Sequence, residues 1–286
     1  MNGLKRPIDK QQARRAFEGA ADSYDAAAVL QREMGERMLE RLEYIRLNPR
    51  LVLDLGAGTG HATARLVRRY PKARVLALDF ALSMLRKARK RGPWLRRPRC
   101  VCADAEHLPI ADGAVDLVFS NAVLQWCTDL EHSFGEILRV LRPGGLFMFT
   151  TFGPDTLMEL RAAWAQADGH SHVSDFPDMH HLGDALVQGR WADPVLDIDR
   201  FVLTYETVND LMRDLKVLGA HNVSQHRSRG LTGKARLRAM SQAYEAQRRE
   251  GCLPATWEVV YGQAWAPEQR TSDEGVTTVP LSSLRR

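Results

Sequence analysis

From Val52 to Leu55 the chain is an apolar strand that runs straight into the glycine turn Gly56-Ala57-Gly58-Thr59-Gly60. A second apolar run, Val75 to Leu78, ends on an acid, Asp79. Between them, His61 to Tyr70 sets Ala62, Leu66 and Val67 on one helical face and Arg65, Arg68 and Arg69 on the other. This is a strand–helix–strand unit. Glycines at its first turn let the backbone bend tightly and approach a ligand with no Cβ in the way. The acid at the tip of the second strand stands where a ribose hydroxyl pair is held. The unit reads as a nucleoside-binding site.

Asp54 narrows the ligand. The dinucleotide fingerprint G-x-G-x-x-G aims a helix N-terminus at a pyrophosphate. Here the spacing is Gly56-x-Gly58-x-Gly60, and a carboxylate lies on the strand before the turn. Such a carboxylate repels a pyrophosphate and suits a cationic aminoacyl sulfonium. The run from Asp54 to Gly60 resembles motif I of the class I S-adenosylmethionine (SAM) methyltransferases. Asp79 matches that family's ribose-chelating acid. Ala103-Asp104-Ala105, followed by Leu108-Pro109, matches its adenine loop, and Val115 to Asn121 matches its fourth strand. Leu141-Arg142-Pro143-Gly144-Gly145 matches the turn before the fifth. The resemblance implies SAM as cofactor, held by Asp54, Gly56, Gly58, Gly60, Asp79, Asp104, Ala105 and Asn121. Trp126 resembles the family position near the cofactor.

The rest of the pattern fits an α/β fold. Strands are expected near 51–55, 74–78, 99–102, 115–120 and 145–151, with helices near 61–70, 81–90 and 130–140. That alternation predicts a Rossmann-like, mostly parallel, doubly wound sheet covered on both faces. Two helices, near 9–20 and 27–44, precede it as a lid over residues 1–47. The SAM-binding core is expected over 48–151. Residues 152–267 then supply a C-terminal substrate lid and complete the sheet, through helices near 156–168, 179–188, 208–218 and 234–250 and strands near 196–205 and 257–265. Asp155 is placed to cap the first of those helices. The polar stretch 268–286 has little to bury and reads as a disordered tail.

Composition sets outer bounds. Of 286 residues, 44% are hydrophobic and 26% charged, as in an ordinary soluble domain. No apolar run is long enough to span a bilayer, and Met1 to Lys10 has no apolar segment of the secretory kind. Cys100, Cys102, Cys127 and Cys252 lack paired or zinc-like spacing, and read as buried, reduced thiols of a cytoplasmic enzyme. Arg86 to Arg99 and His226 to Arg238 are basic stretches without acids. Such stretches are either solvated faces or a steering surface for an acidic partner. Nothing resembles a nucleic-acid-binding motif.

A second resemblance covers about Arg14 to Trp265. Phe152-Gly153-Pro154-Asp155-Thr156-Leu157-x-Glu159-Leu160-Arg161 is distinctive, as are Phe176-x-Asp178-Met179-His180 and Leu215-Lys216-x-Leu218-Gly219-Ala220-His221-Asn222. With Arg229-Gly230-Leu231-Thr232-Gly233, Leu253-Pro254-Ala255-Thr256 and Phe17-x-x-Ala20-Ala21-x-x-Tyr24-Asp25, they resemble the BioC family. Its members are malonyl-acyl-carrier-protein O-methyltransferases of early biotin synthesis. Gln188-Gly189-Arg190-Trp191 departs from the pattern at a helix end.

What this resemblance implies is methylation of the free carboxylate of a malonyl thioester on acyl carrier protein. A carboxylate is already ionised near neutral pH, so the protein mainly aligns it in a dehydrated cleft. No metal and no covalent intermediate is expected, and neither nucleic acid nor membrane is an expected partner. Tyr24 is the first choice for closing over the methyl group, and a helix-packing tyrosine is its alternative. Arg161 is the leading candidate for the substrate carboxylate, against a plain surface arginine. His180 is a candidate pocket group. A metal reading of His170, His172, His180 and His181 with Asp175 and Asp178 competes with capping and packing roles. Arg227, Arg229, Lys234, Arg236 and Arg238 are the candidate docking cations for an acidic carrier.

Three rivals stay open on sequence. One is a methyltransferase for another small acid or a quinone precursor. Another is a SAM-fold arginine hydroxylase of the respiratory complex I assembly type, which shares the Phe152 and Leu253 motifs. The third is a SAM-fold scaffold without turnover.

Overall fold

The computed structural model describes residues 5, 8–92, 96–218 and 233–268. Its centre is a sheet of seven strands: β1 (Leu51–Leu55), β2 (Arg74–Asp79), β3 (Arg99–Cys102), β4 (Val115–Asn121), β5 (Leu141–Phe152), β6 (Ala192–Tyr205) and β7 (Leu253–Trp265). They run in the order β3-β2-β1-β4-β5-β7-β6. The pairings of β1 with β2 and β4, of β2 with β3 and of β4 with β5 are parallel, while β7 lies antiparallel to β5 and β6. Strand order reverses between β1 and β4, so a crevice opens beyond their carboxyl ends.

Burial explains why these strands read as near-continuous apolar runs. Val52, Leu117, Phe119, Leu146 and Met148 feed one core layer, and Leu53, Leu55, Val118, Phe147 and Phe149 feed the opposite one. Successive side chains alternate faces, and both faces are covered. On the first face lie α3 (Val29–Arg41) and α4 (His61–Arg69), with α7 (Met158–Ala167), α9 (Val208–Val217) and α10 (Lys234–Glu245) further along. On the second lie α6 (Leu130–Val140) and α8 (Met179–Gln188). The amino-terminal α1 (Lys10–Ala20) and the short α2 (Tyr24–Ala27) pack beside α5 (Leu82–Arg91), with Phe17, Ala21 and Tyr24 on Ala81 and Met84.

Several expectations shift. The expected 27–44 helix runs as α3 and a 3-10 turn at Leu42–Tyr44, with only its first residue, Ala27, belonging to the separate α2. The edge strand β6 starts at Ala192, four residues early, because Pro194 falls where it can be absorbed by a register shift between Ala192 and Val195. β7 likewise starts at Leu253. Its first residues pair only with β6, since β5 pairs with it from Val259 onward, and Pro254 is tolerated on that open side. Asp155 does not cap α7. The helix starts at Met158 after Leu157, whose φ is 55°, and the Asp155 carboxylate pairs with Arg200 at 2.5 Å. The thiols are also corrected: none of the four cysteines forms a disulfide, but only Cys127 is buried, and Cys100 and Cys102 sit on the edge strand β3. No described helix is long and apolar enough to cross a membrane.

Candidate active site

The glycine turn is built by close approach. Gly56 N and Ala57 N both donate to Leu78 O, at 2.7 and 2.9 Å, which folds the turn back onto the end of β2. Gly56, Gly58 and Gly60 have φ of 70°, 53° and 86°, the left-handed region that glycine enters freely. A Cβ on Gly60 would stand 2.6 Å from Ala88 Cα, so this glycine lets α5 pack against the turn. A Cβ on Gly58 would meet nothing within 4 Å: its face opens onto the crevice.

That crevice is a cleft of about 880 Å³, counting the solvent at its mouth. Its floor is Leu55, Gly56, Gly58, Leu78 and Asp79, and one side is Asp104, Ala105 and Trp126. The other side carries Asn121, Gln125 and Trp257, and Lys10, Phe17 and Tyr24 come in from the amino-terminal helices. Phe17 sits edge-on to Trp126, with centroids 5.1 Å apart, and 5.7 Å from Phe80. These rings line one part of the cleft with apolar surface.

Asp79 and Asp54 set the electrostatics. Asp79 accepts from Gly58 N at 2.9 Å and Ala81 N at 2.8 Å, which fixes its carboxylate at the tip of β2. Asp54, 1% exposed, accepts from Thr63 Oγ1 and faces a side pocket shared with Tyr24, Gly58 and Asn121. Burial pushes Asp54 up to about 7, with Asp79 adding to it. Burial likewise pushes Asp79 up to about 6, against its backbone donors and helped by Glu18. The main cleft has one cationic wall residue among those described, Lys10, and it is bound to Asp104 at 2.7 Å and to Glu106. Two buried acids without a cation of their own fit a ligand that brings hydroxyl donors and a positive centre. The fit to SAM rests on that pair and on the open face at Gly58.

The raised values have a testable sign. Between about pH 4 and pH 7 the folded protein holds protons on these acids that the unfolded chain has released. The stability they contribute is fully present below the ordinary aspartate value of about 3.9 and is lost as pH rises through 6 to 7. Ligand binding runs the other way, because a cationic, hydroxyl-donating ligand selects the ionised carboxylates. The shift of the thermal midpoint produced by SAM is therefore expected to grow from about pH 5 to pH 8, and a pH-independent shift contradicts this account.

Of the residues expected at the cofactor, Gly56, Gly58, Asp79, Asp104, Ala105, Asn121 and Trp126 line the cleft. Asp54 lines the side pocket, and Gly60 acts behind the turn. Tyr24 lines both spaces. Desolvation, with Asp79 and Asp25 nearby, pushes its phenol well above the ordinary value, so it stays protonated at neutral pH. Arg161 is not brought to the cleft. Its guanidinium donates to Pro154 O at 2.8 Å, Thr156 O at 3.3 Å and Ser174 O at 3.4 Å, tying the start of α7 to the loop after it. His180 is not brought there either. Its side chain is 84% exposed and pairs with Asp178, the N-cap of α8, at 2.7 Å. His172 is held elsewhere, stacked on Trp164 and paired with the Asp168 carboxylate at 2.9 Å. Among the described residues no group of three metal-ligating side chains forms. Lys234, Arg236 and Arg238 are exposed on α10, whereas Arg227 and Arg229 lie outside the described residues. Sequence reasoning missed Lys10, Gln31, Gln125 and Trp257, whose motif neighbours carry no sign that the fold will bring them to one cleft.

Comparison with known proteins agrees with this geometry. Residues 53–149 match the family model described as a methyltransferase domain. The chain is 52% identical, over 93% of its length and 92% of the relative's, to the malonyl-acyl-carrier-protein O-methyltransferase of Methylovorus sp. strain MP688. It is 50% identical to the enzyme of that name from Halorhodospira halophila, over 99% and 98% of the two chains. Among solved structures it resembles the YcgJ protein of Bacillus subtilis, with a TM-score of 0.56 and 16% identity over 81% of this chain and 98% of that one. It also resembles a phosphoethanolamine N-methyltransferase of Haemonchus contortus solved with S-adenosyl-L-methionine, with a TM-score of 0.51 and 15% identity over 82% and 52%. At those identities the structures share the fold alone. The sequence relatives go further: matched at about half of all positions from end to end, the chain belongs to the malonyl-acyl-carrier-protein O-methyltransferase family.

Proposed function

We infer that this protein transfers a methyl group from SAM to the free carboxylate of malonyl-acyl-carrier protein, giving the methyl ester of the thioester. The observation that carries the reading is the end-to-end similarity to enzymes of that name, on a chain whose cleft pairs two buried acids with a glycine turn. When bound, SAM supplies an electrophilic methyl carbon, whose bond to sulfur breaks as the carboxylate oxygen bonds to it. This chain's residues do the rest. Asp79 holds hydroxyls at the tip of β2, and Gly58 lets the backbone approach without a Cβ. Phe17, Phe80 and Trp126 exclude water, which strengthens every charge interaction inside. The nucleophile arrives ionised, so no side chain has to remove a proton. A protonated Tyr24 is suited to donate a hydrogen bond and not to act as a base.

Residues 1–47 act as the lid in this account, and α10 presents Lys234, Arg236 and Arg238 to the acidic carrier. Tyr24→Phe keeps the ring and loses the hydroxyl. It is expected to lower kcat about tenfold, the worth of one hydrogen bond in a dry site. Affinity for the demethylated product, S-adenosylhomocysteine, is expected to hold, and an unchanged kcat would assign Tyr24 to packing. Substrate choice is tested by methyl transfer from labelled SAM to malonyl-acyl-carrier protein, malonyl-CoA and free dicarboxylates side by side. Transfer to the carrier-linked thioester alone, with rescue of a biotin auxotroph lacking this step, supports the reading. Transfer only to a free acid or a quinone precursor rejects it.

A further inference from the structure

Six buried polar side-chain atoms have no hydrogen-bond partner among the described residues: Gln31 Oε1, Ser120 Oγ, Arg161 Nε, Trp191 Nε1, Trp257 Nε1 and Tyr261 Oη. Two of these residues, Gln31 and Trp257, wall the cleft. The same two, with Leu218, also wall an adjoining groove that runs out between α2–α3, the end of β6 and α9. They form the partition between the cofactor cleft and a second opening to solvent.

The chemistry of the two orphans is specific. Trp257 is 4% exposed, and its indole nitrogen donates and cannot accept. It can be completed only by an acceptor. The Gln31 orphan is its side-chain oxygen, an acceptor, and a half-turn about the last bond exchanges it for the NH2, so that this residue too can donate. Its position is held from behind: Gln31 O accepts from Asn121 Nδ2 at 2.8 Å, and Asn121 Oδ1 accepts from Thr150 Oγ1 at 2.7 Å. That chain anchors α3 over the ends of β4 and β5. Trp257 is set by its packing on Phe152, with centroids 5.1 Å apart. A buried donor without a partner is costly in a folded protein, so a ligand that supplies the acceptor gains at that site.

We propose that Gln31 and Trp257 are the receptor for the substrate's free carboxylate, and that the thioester arm leaves through the groove beyond them. This rests on the methyltransferase reading and goes past it by naming the groups that recognise the acid. Neutral N–H donors orient a carboxylate without neutralising it, so its oxygen keeps its nucleophilic character. An arginine would bind more tightly and blunt the attack, and Arg161 is committed to backbone carbonyls instead. The groove suits an uncharged arm of methylene and amide groups: its rim carries Val29 and Val202, 54% and 57% exposed.

The test uses the full chain, first shown to methylate malonyl-acyl-carrier protein, so that failure of the functional reading is detected separately. Trp257→Phe and Gln31→Leu, which keep bulk and remove the polar group, are then compared with the unaltered protein. Three readouts are taken: KM for malonyl-acyl-carrier protein, inhibition by acetyl-acyl-carrier protein, which lacks the carboxylate, and Kd for S-adenosylhomocysteine. The expected result is a KM raised about tenfold or more in each variant, with the other two constants within twofold. An unchanged KM overturns the proposal. Equal weakening of the malonyl and acetyl forms also overturns it, because that is loss of packing and not of carboxylate recognition.

Discussion

Asp79→Asn is expected to raise the Kd for S-adenosylhomocysteine at least about 100-fold while the fold stays intact. Hydrogen bonds to a charged group contribute about 1.5–3 kcal/mol each, and a ribose offers two hydroxyls to one carboxylate. Gly58 N and Ala81 N donate to different carboxylate oxygens, so the amide keeps one of these bonds and turns its NH2 toward the other donor. Burial already raises Asp79 to about 6, so its ionised form weighs against the unliganded fold at neutral pH. A neutral isostere removes that weight, and the thermal midpoint of the unliganded protein is expected not to fall. Calorimetric titration beside a melting curve separates the two effects. A Kd within threefold of the unaltered protein would remove Asp79 from the donor site.

Gly60→Ala is expected to cost about 3 kcal/mol of stability. Two effects add. The residue is locked at φ of 86°, where a side chain costs on the order of 1–2 kcal/mol. The new Cβ would also stand 2.6 Å from Ala88 Cα and 2.7 Å from Ala88 Cβ. Since the first of these is backbone within α5, no rotamer change relieves it. A loss of that size lowers the thermal midpoint by about 5 °C in a chain of this length. Gly58→Ala is the internal control. It also carries strain, at φ of 53°, but nothing lies within 4 Å of its Cβ. Its stability cost should be about 1 kcal/mol, and its main effect should be on the donor, whose path the methyl group enters. Equal destabilisation by the two substitutions would contradict the packing argument.

The core was legible because its signals are local. A strand, a glycine turn and an acid at the next strand tip lie within 28 residues of one another, and each has its own physical reason. Edge elements were less legible. Pro194 and Pro254 argue against strands in general, yet β6 is an edge and the start of β7 has an open side, so both are absorbed. Arg161 misled for a related reason. Its motif follows β5 directly, which points toward the cleft, but the left-handed Leu157 starts α7 at an angle that returns the guanidinium to the chain's own carbonyls. His180 is the second residue of a helix capped by Asp178, whose carboxylate accepts from His180 N, and capping alone accounts for both residues. Gln31 and Trp257 were illegible for the opposite reason. One sits on an ordinary amphipathic helix and the other on a buried strand, and only the tertiary fold makes them neighbours of one cleft.

The cleft beside Asp54 and Asp79 is expected to deliver a methyl group to the free carboxylate of a carrier-bound malonyl unit. Intact-mass analysis of malonyl-acyl-carrier protein incubated with this protein and SAM reads that transfer on the product itself. The expected result is a gain of one methylene unit, located by fragmentation on the malonyl group and removed by esterase. A carrier of unchanged mass, from protein that binds S-adenosylhomocysteine normally, would contradict it.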